Sequence, residues 1–186
     1  MGQFGDGLDA AVHKAFTRPA PKSAGAQMRY LVKQLGGTRA VARMLRISQR
    51  TVERYVKDQI KKPRPDLAAR MAREVTNRWQ PQIKAKARRK AATTDGIVID
   101  IHARFGYTGA PEGATDQDRI RHLTVALPPQ YAARLFDAQQ QGAADEALQQ
   151  ITADSLREVY FQDDGRRAGS LSEVAINDLL SLEFDL

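Results

Sequence analysis

The spacing of apolar residues changes at Asp95-Gly96. Before residue 95 they recur at helical intervals, and after Gly96 they first alternate with polar residues. The clearest helical stretch runs from Thr38 to Lys57. Thr38 is placed to N-cap a helix after Gly36 and Gly37, and Val41, Ala42 and Leu45 form its apolar face. A break at Arg46 and Ile47 follows. Ser48 then caps a second helix whose Val52, Tyr55 and Val56 face back onto the first. Ala42 is small where two helices cross closely, so the pattern predicts a helix-turn-helix, with Arg46 standing where the tight turn usually carries Gly. Ahead of it, Met28, Leu31, Val32 and Leu35 predict a helix over 26–35 that Gly36 and Gly37 end. Beyond it, two prolines keep Ile60 to Pro65 from being helical. Pro65 opens a further helix in which Leu67, Met71, Val75 and Trp79 recur every four residues.

Beyond Gly96, Ile97, Ile99, Ile101, Ala103, Phe105 and Tyr107 alternate with Val98, Asp100, His102 and Arg104, which predicts a half-buried strand. Leu123, Val125 and Leu127 predict a second strand from about Ile120. Two helices follow. One runs from Pro128-Pro129 to Gly142 with Tyr131, Leu135 and Phe136 inward; the other runs from Asp145 to Phe161. Leu180, Leu182, Phe184 and Leu186 read as a third strand, extended by Val174 and Ile176 with a turn or bulge at Asn177-Asp178. The expected fold is α+β. An N-terminal all-α helix-turn-helix domain precedes a small α+β domain with an antiparallel or mixed sheet of about three strands and two helices. The expected division is an arm and linker at 1–25, the helix-turn-helix domain at 26–80, a basic linker or helix at 81–95 and the α+β domain at 96–186.

Charge sharpens this division. Residues 1–95 carry 22 Lys and Arg against 7 Asp and Glu, whereas residues 96–186 carry 7 against 15. A basic half joined to an acidic one points to nucleic acid as the partner of the first, held by phosphate contacts with steep salt dependence. On the second helix Gln49, Arg50, Thr51, Arg54 and Lys57 point away from the core and suit base edges or phosphates. Lys61, Lys62 and Arg64 of the proline-rich arm are candidate phosphate contacts. So are Lys84, Lys86, Arg88, Arg89 and Lys90, whether as a helix laid on DNA or as a solvated linker. The chain has no Cys and three His, so neither a disulfide framework nor a structural metal is expected. No apolar run reaches the length of a membrane span, and the basic segment lacks a Trp/Phe/Leu-rich face. A soluble, cytoplasmic, nucleoid-associated protein is the expectation.

Between the first two strands lies GYTGAPEGATDQD, residues 106–118, with three Gly, one Pro and three acids. It is too long for a tight hairpin, and loops of this length tend to carry function. Three hydroxyls sit in or beside it: Tyr107, Thr108 and Thr115. No general base accompanies them, and neither a phosphate-cradling glycine loop nor a zinc signature occurs. An autonomous enzyme is therefore not expected, nor a cofactor of the chain's own.

The basic RAVARMLRISQRTVERYV, the trailing KAKARRKA and the segment GIVIDIHARFGYTGAPEGATDQDRIRHLTVALP, in this order, resemble the telomere terminal proteins (Tpg family) of linear Streptomyces chromosomes and plasmids. The resemblance covers nearly the full length. It implies a protein that caps the 5′ ends of linear replicons by covalent attachment and primes the synthesis that patches the recessed end. It also implies three partners: telomeric DNA, as duplex and single-stranded overhang, a telomere-associated protein, and a DNA polymerase whose Mg2+ ions activate the attacking oxygen. The family's acceptor is a threonine. Thr115 matches it by position, with Thr108 and Tyr107 as alternatives.

Two other readings remain. One is a helix-turn-helix transcriptional regulator with a C-terminal dimerisation or sensing domain. The other is an enzyme acting on DNA ends, which needs a base or metal cluster that the sequence does not display. A homodimer through the last strand, if it forms a sheet edge, belongs to either of the first two readings.

Overall fold

The computed structural model describes residues 2–108, 119–166, 168–169 and 171–186. Among them the chain is α+β, with eight α-helices and one three-stranded antiparallel sheet. It forms two compact units, Thr17–Pro81 on the one hand and Met1–Phe16 with Gln82–Leu186 on the other.

The first unit is all helical, with α2 (Ala24–Leu35), α3 (Thr38–Leu45), α4 (Gln49–Val56) and α5 (Pro65–Arg78). Its core is Met28 and Leu31 of α2, Val41, Ala42 and Leu45 of α3, Val52 and Tyr55 of α4, and Leu67, Met71 and Val75 of α5. Val32, Leu35 and Val56, expected inside, pack only partly buried at its rim. Ser23 and Ser48 cap α2 and α4, accepting from the amides of Ala26 (3.3 Å) and Thr51 (3.2 Å). Thr38, expected to cap α3, is its first helical residue; Gly37 holds the cap position at φ 151°, outside the range of most L-residues. Trp79 lies beyond α5, not on its buried face. Its indole nitrogen donates to the Arg18 carbonyl at 3.0 Å, and its ring meets Tyr30 edge-on.

The second unit is organised on β1 (Ile97–Thr108). It lies between β2 (Arg119–Leu127) and β3 (Glu173–Asp185), antiparallel to both. Ile97, Ile99, Ile101, Ala103 and Phe105 of β1 are all buried, as the alternation predicts. Helices α7 (Pro129–Gln140) and α8 (Asp145–Leu156) carry the chain from β2 across to β3, and a wider π-type turn, Arg157–Phe161, follows α8. Two further helices complete the unit, and both lie outside the expected 96–186 boundary: α1 (Gln3–Lys14) and the basic α6 (Pro81–Lys90) with its π-type turn Ala91–Asp95. Phe4, Leu8, Ala11 and Val12 of α1 join the core, and Asp145 accepts from the Phe4 (3.3 Å) and Gly5 (2.9 Å) amides that α1 cannot satisfy itself. The expected arm at 1–25 is thus a docked helix followed by a connecting stretch.

The third strand departs from its sequence pattern. Along β3 the pairing with β1 skips between Ser181 and Leu179 and again between Leu179 and Ile176. Two bulges therefore shift the inward face, so that Val174, Ile176 and Phe184 are buried while Leu180 is 55% exposed. The irregularity expected at Asn177-Asp178 is the second of these.

Two backbone positions test this account. At Gly96 (φ 76°) a Cβ would overlap the Leu127 carbonyl oxygen, which belongs to the backbone and cannot swing away. Gly96→Ala is expected to cost roughly 2–3 kcal/mol in chemical denaturation, from strain and displacement together. Arg46 holds the turn between α3 and α4 in the left-handed region at φ 54°. Arg46→Gly is expected to raise stability by about 1 kcal/mol, measured the same way.

Candidate nucleic-acid interface and acceptor segment

A helix offers a ligand whatever its packing leaves free. Val52 and Tyr55 commit one side of α4 to the core. Arg50, Arg54 and Lys57, spaced i, i+4 and i+7, are exposed on the other side. Gln49 and Thr51 are less available. The Gln49 amide donates to Glu53 at 2.9 Å, and the half-buried Thr51 hydroxyl lies 2.8 Å from Ser48 Oγ inside the cap. Bidentate contact with base edges therefore falls first to Arg50 and Arg54. On α3 and the turn, Arg39, Arg43 and Arg46 repeat the same spacing and are exposed too. That signal was present in the sequence, but the contrast between a buried and an outward face was needed to single them out.

Beside α4, Lys61, Lys62 and Arg64 are exposed on a non-helical arm, which Ile60 anchors to the core of the helical unit. Residues 17–81 hold 16 Lys and Arg against 4 Asp and Glu; the rest of the chain holds 13 against 18. Three of those four acids are engaged within the unit. Asp58 meets Arg29 at 2.7 Å, Glu74 pairs with Arg78, and Glu53 takes the Gln49 bond. Most of the cationic charge is left without an internal counter-ion.

The basic helix α6 divides differently from its composition. Lys84 and Arg88, expected to meet DNA, face inward. Lys84 is 9% exposed, with its ammonium 5.7 Å from the Phe16 ring centroid, and burial pushes its pKa down. Arg88 pairs with Asp9 at 3.3 Å, bonds Gln139 and lies over the Phe136 ring. Both belong to the packing of α6 in the sheet unit, not to its exposed, phosphate-accessible side. Lys86 and Arg89 remain exposed, and Lys90 is exposed but paired with Asp95 at 2.6 Å. Burial also lowers the pKa of His13, and the neighbouring Lys84 adds to the effect.

The acceptor candidates separate as well. Among the described residues the pairing of β1 with β2 runs as far as Phe105–Arg119. Gly106, Tyr107 and Thr108 are not loop residues, however, because they continue β1 by pairing with Ala175, Val174 and Glu173 of β3. Tyr107 packs edge-on against Phe161 at 5.1 Å, under the Arg121 guanidinium, and its hydroxyl oxygen is out of solvent. Thr108 is exposed at the strand end, its carbonyl accepting from the amide and hydroxyl of Ser172. Thr115, with Asp116 and Asp118, lies outside the described residues.

The buried lysine generates a pH prediction. A folded pKa below the unfolded one means that the unfolded chain binds more protons between the two values, so stability rises with pH across that window. Lys84→Met is therefore expected to stabilise the protein at neutral pH. Its advantage over the parent should shrink as pH rises through the depressed Lys84 pKa towards 10.5, measured by urea denaturation of both proteins.

No helix among the described residues is long and apolar enough to cross a membrane. No protein-family model matches the sequence, and no curated protein or solved structure matches it.

Proposed function

We propose that this chain is a DNA-binding terminal protein that caps the 5′ ends of linear replicons and primes end-patching synthesis. In this reading α3 and α4 are a DNA-binding helix-turn-helix. The observation that carries the proposal is the exposed Arg50, Arg54 and Lys57 stripe on α4, set in a helical unit with a fourfold excess of cations over acids. Arg50 and Arg54 read base edges from the major groove. Arg39, Arg43, Lys61, Lys62 and Arg64 neutralise phosphates on either side. Lys86 and Arg89 supply further backbone contacts from the other unit.

The covalent step is attack of the Thr115 hydroxyl on the α-phosphorus of a deoxynucleoside triphosphate. A P–O bond forms to Thr115, the bond to the β-phosphate oxygen breaks, pyrophosphate leaves, and the hydroxyl proton passes to the solvent. The metal ions of a partner DNA polymerase activate the oxygen and clamp the leaving group, and a telomere-associated protein brings the chain to the overhang. This chain contributes the acceptor and its tether to DNA. Support for Thr115 comes from the resemblance and from elimination: the Tyr107 hydroxyl is buried, and Thr108 is fixed in a strand.

The test incubates the full chain with labelled nucleotide, polymerase, telomere-associated protein and telomeric DNA, then measures label that survives denaturation. Label is expected on the parent and on Thr108→Ala, and none on Thr115→Ala. Persistent labelling of Thr115→Ala overturns the residue assignment. Absence of label on the parent, with sequence-specific duplex binding intact, favours a transcriptional regulator. In parallel, Arg50→Ala and Arg54→Ala should each weaken binding by about 1–3 kcal/mol and relax sequence preference. Lys61→Ala should weaken binding to all sequences alike and flatten the salt slope by about one unit.

A further inference from the structure

The sheet face opposite the helices carries a cluster that the proposed function does not use. His102 and His122 stand directly across from one another on β1 and β2, their ring centroids 5.6 Å apart and their planes inclined by 38°. Two residues along, Asp100 is opposite Thr124. The Thr124 hydroxyl donates to one Asp100 oxygen at 2.7 Å, and His122 Nε2 lies 2.8 Å from the other. These two bonds, that from Thr124 first, hold the Asp100 carboxyl below its usual range. The cluster is open to ions, with the His122 side chain 60% exposed and that of Asp100 42%.

We propose that His102, His122 and Asp100 bind a divalent transition-metal ion of the class that favours imidazole, with Zn2+ as its reference member. The spacing suits one ion. A Zn2+ at about 2.0–2.1 Å from one nitrogen of each ring puts two tetrahedrally disposed ring centroids about 5 Å apart. The observed separation of 5.6 Å is wider by about half an ångström, a gap that a small turn of the rings closes. Nitrogen and oxygen ligands of one tetrahedral ion lie roughly 3.3 Å apart, so the hydrogen-bonded His122 Nε2 and Asp100 Oδ1, at 2.8 Å, need open by only about half an ångström to share it. Among the described residues no three such groups converge on one point as they stand. The ion completes the site by replacing the proton between His122 and Asp100 while the His102 ring turns about its terminal torsion. Thr124 then orients the liganding carboxylate from behind, in the manner of an outer-shell partner.

The flanking charges do not oppose a cation. Arg104, next on the same face, is held by Asp178 at 2.8 Å, and Lys14 is neutralised by Glu183 and Asp185 of β3. Two imidazoles with one carboxylate select Zn2+, Ni2+ or Cu2+ over Mg2+ or Ca2+, which want more oxygen ligands.

The test titrates ZnCl2 into the full chain by calorimetry and follows imidazole C–H signals by NMR at neutral pH. One site is expected, with the His102 and His122 signals shifting or broadening while those of His13 stay in place. His102→Ala and His122→Ala should each weaken binding by about tenfold or more, and Asp100→Asn, which keeps the local bonds, should weaken it by less. Mg2+ should leave the signals unchanged. Far-UV circular dichroism checks that these surface variants fold. No Zn2+ binding by the parent, unchanged affinity in both histidine variants, or shifts confined to His13 would each overturn the proposal.

Discussion

One strand holds the larger unit together. β1 buries five side chains on one face and pairs along both edges, so each neighbour is positioned by register against it. Burying a side chain the size of Ile or Phe contributes roughly 1.5–3 kcal/mol, and four of the five are of that size. The arrangement leaves two consequences. The helices of this unit that join its core, α1, α7 and α8, cover the face that Ile97 to Phe105 define, because that is where apolar surface needs cover. The opposite face stays solvated, and Asp100, His102 and His122 meet there beside the exposed Val98 and Ile120.

Charge in the helical unit follows a different logic. Its few acids are spent on particular structural tasks. Asp58 ties Arg29, which also donates to the Val56 carbonyl, so α2 is fastened to the end of α4. Gly25 permits that approach, since a Cβ there would crowd both the Asp58 carboxylate and the Tyr55 carbonyl oxygen. The unopposed cations raise the electrostatic self-energy of the folded unit, a cost that counter-ions offset in solution and a polyanion would offset better. Exposed side chains account for nearly all of this excess, whereas on α6 two of the five cations are consumed inside.

Much of this could be read from residues alone, and what escaped has a common cause. Val41, Ala42, Leu45, Val52 and Tyr55 announced a helix pair through their spacing, and Ser48 announced its second start. The alternation from Ile97 to Phe105 announced the central strand. Periodicity reports that a face is apolar but is silent about what covers it. The spacing of Leu8 and Val12 suits a helix, yet its docking depends on Asp145, far along the chain, reaching its first amides. Lys84 and Arg88 sit one turn apart on α6, and only the Phe16, Asp9 and Phe136 they meet shows that their side faces inward. The bulges in β3 break period two twice, so a strict alternation points Leu180 inward when Leu179 takes that role.

The same period-two rule decides among neighbouring hydroxyls. Odd-numbered residues of β1 face the helices, so Tyr107 continues the buried series of Ile97 to Phe105, and its ring fills space beside Phe161. Thr108 belongs to the even series with Asp100, His102 and Arg104 and faces solvent, but β3 holds its backbone through Ser172 and the pairing with Glu173. The pairing with Glu173 and the bonds from Ser172 fix Thr108 in the sheet, so its hydroxyl cannot advance without opening that pairing. Pairing across β1, β2 and β3 therefore does more than build a core: it makes Tyr107 and Thr108 part of the scaffold.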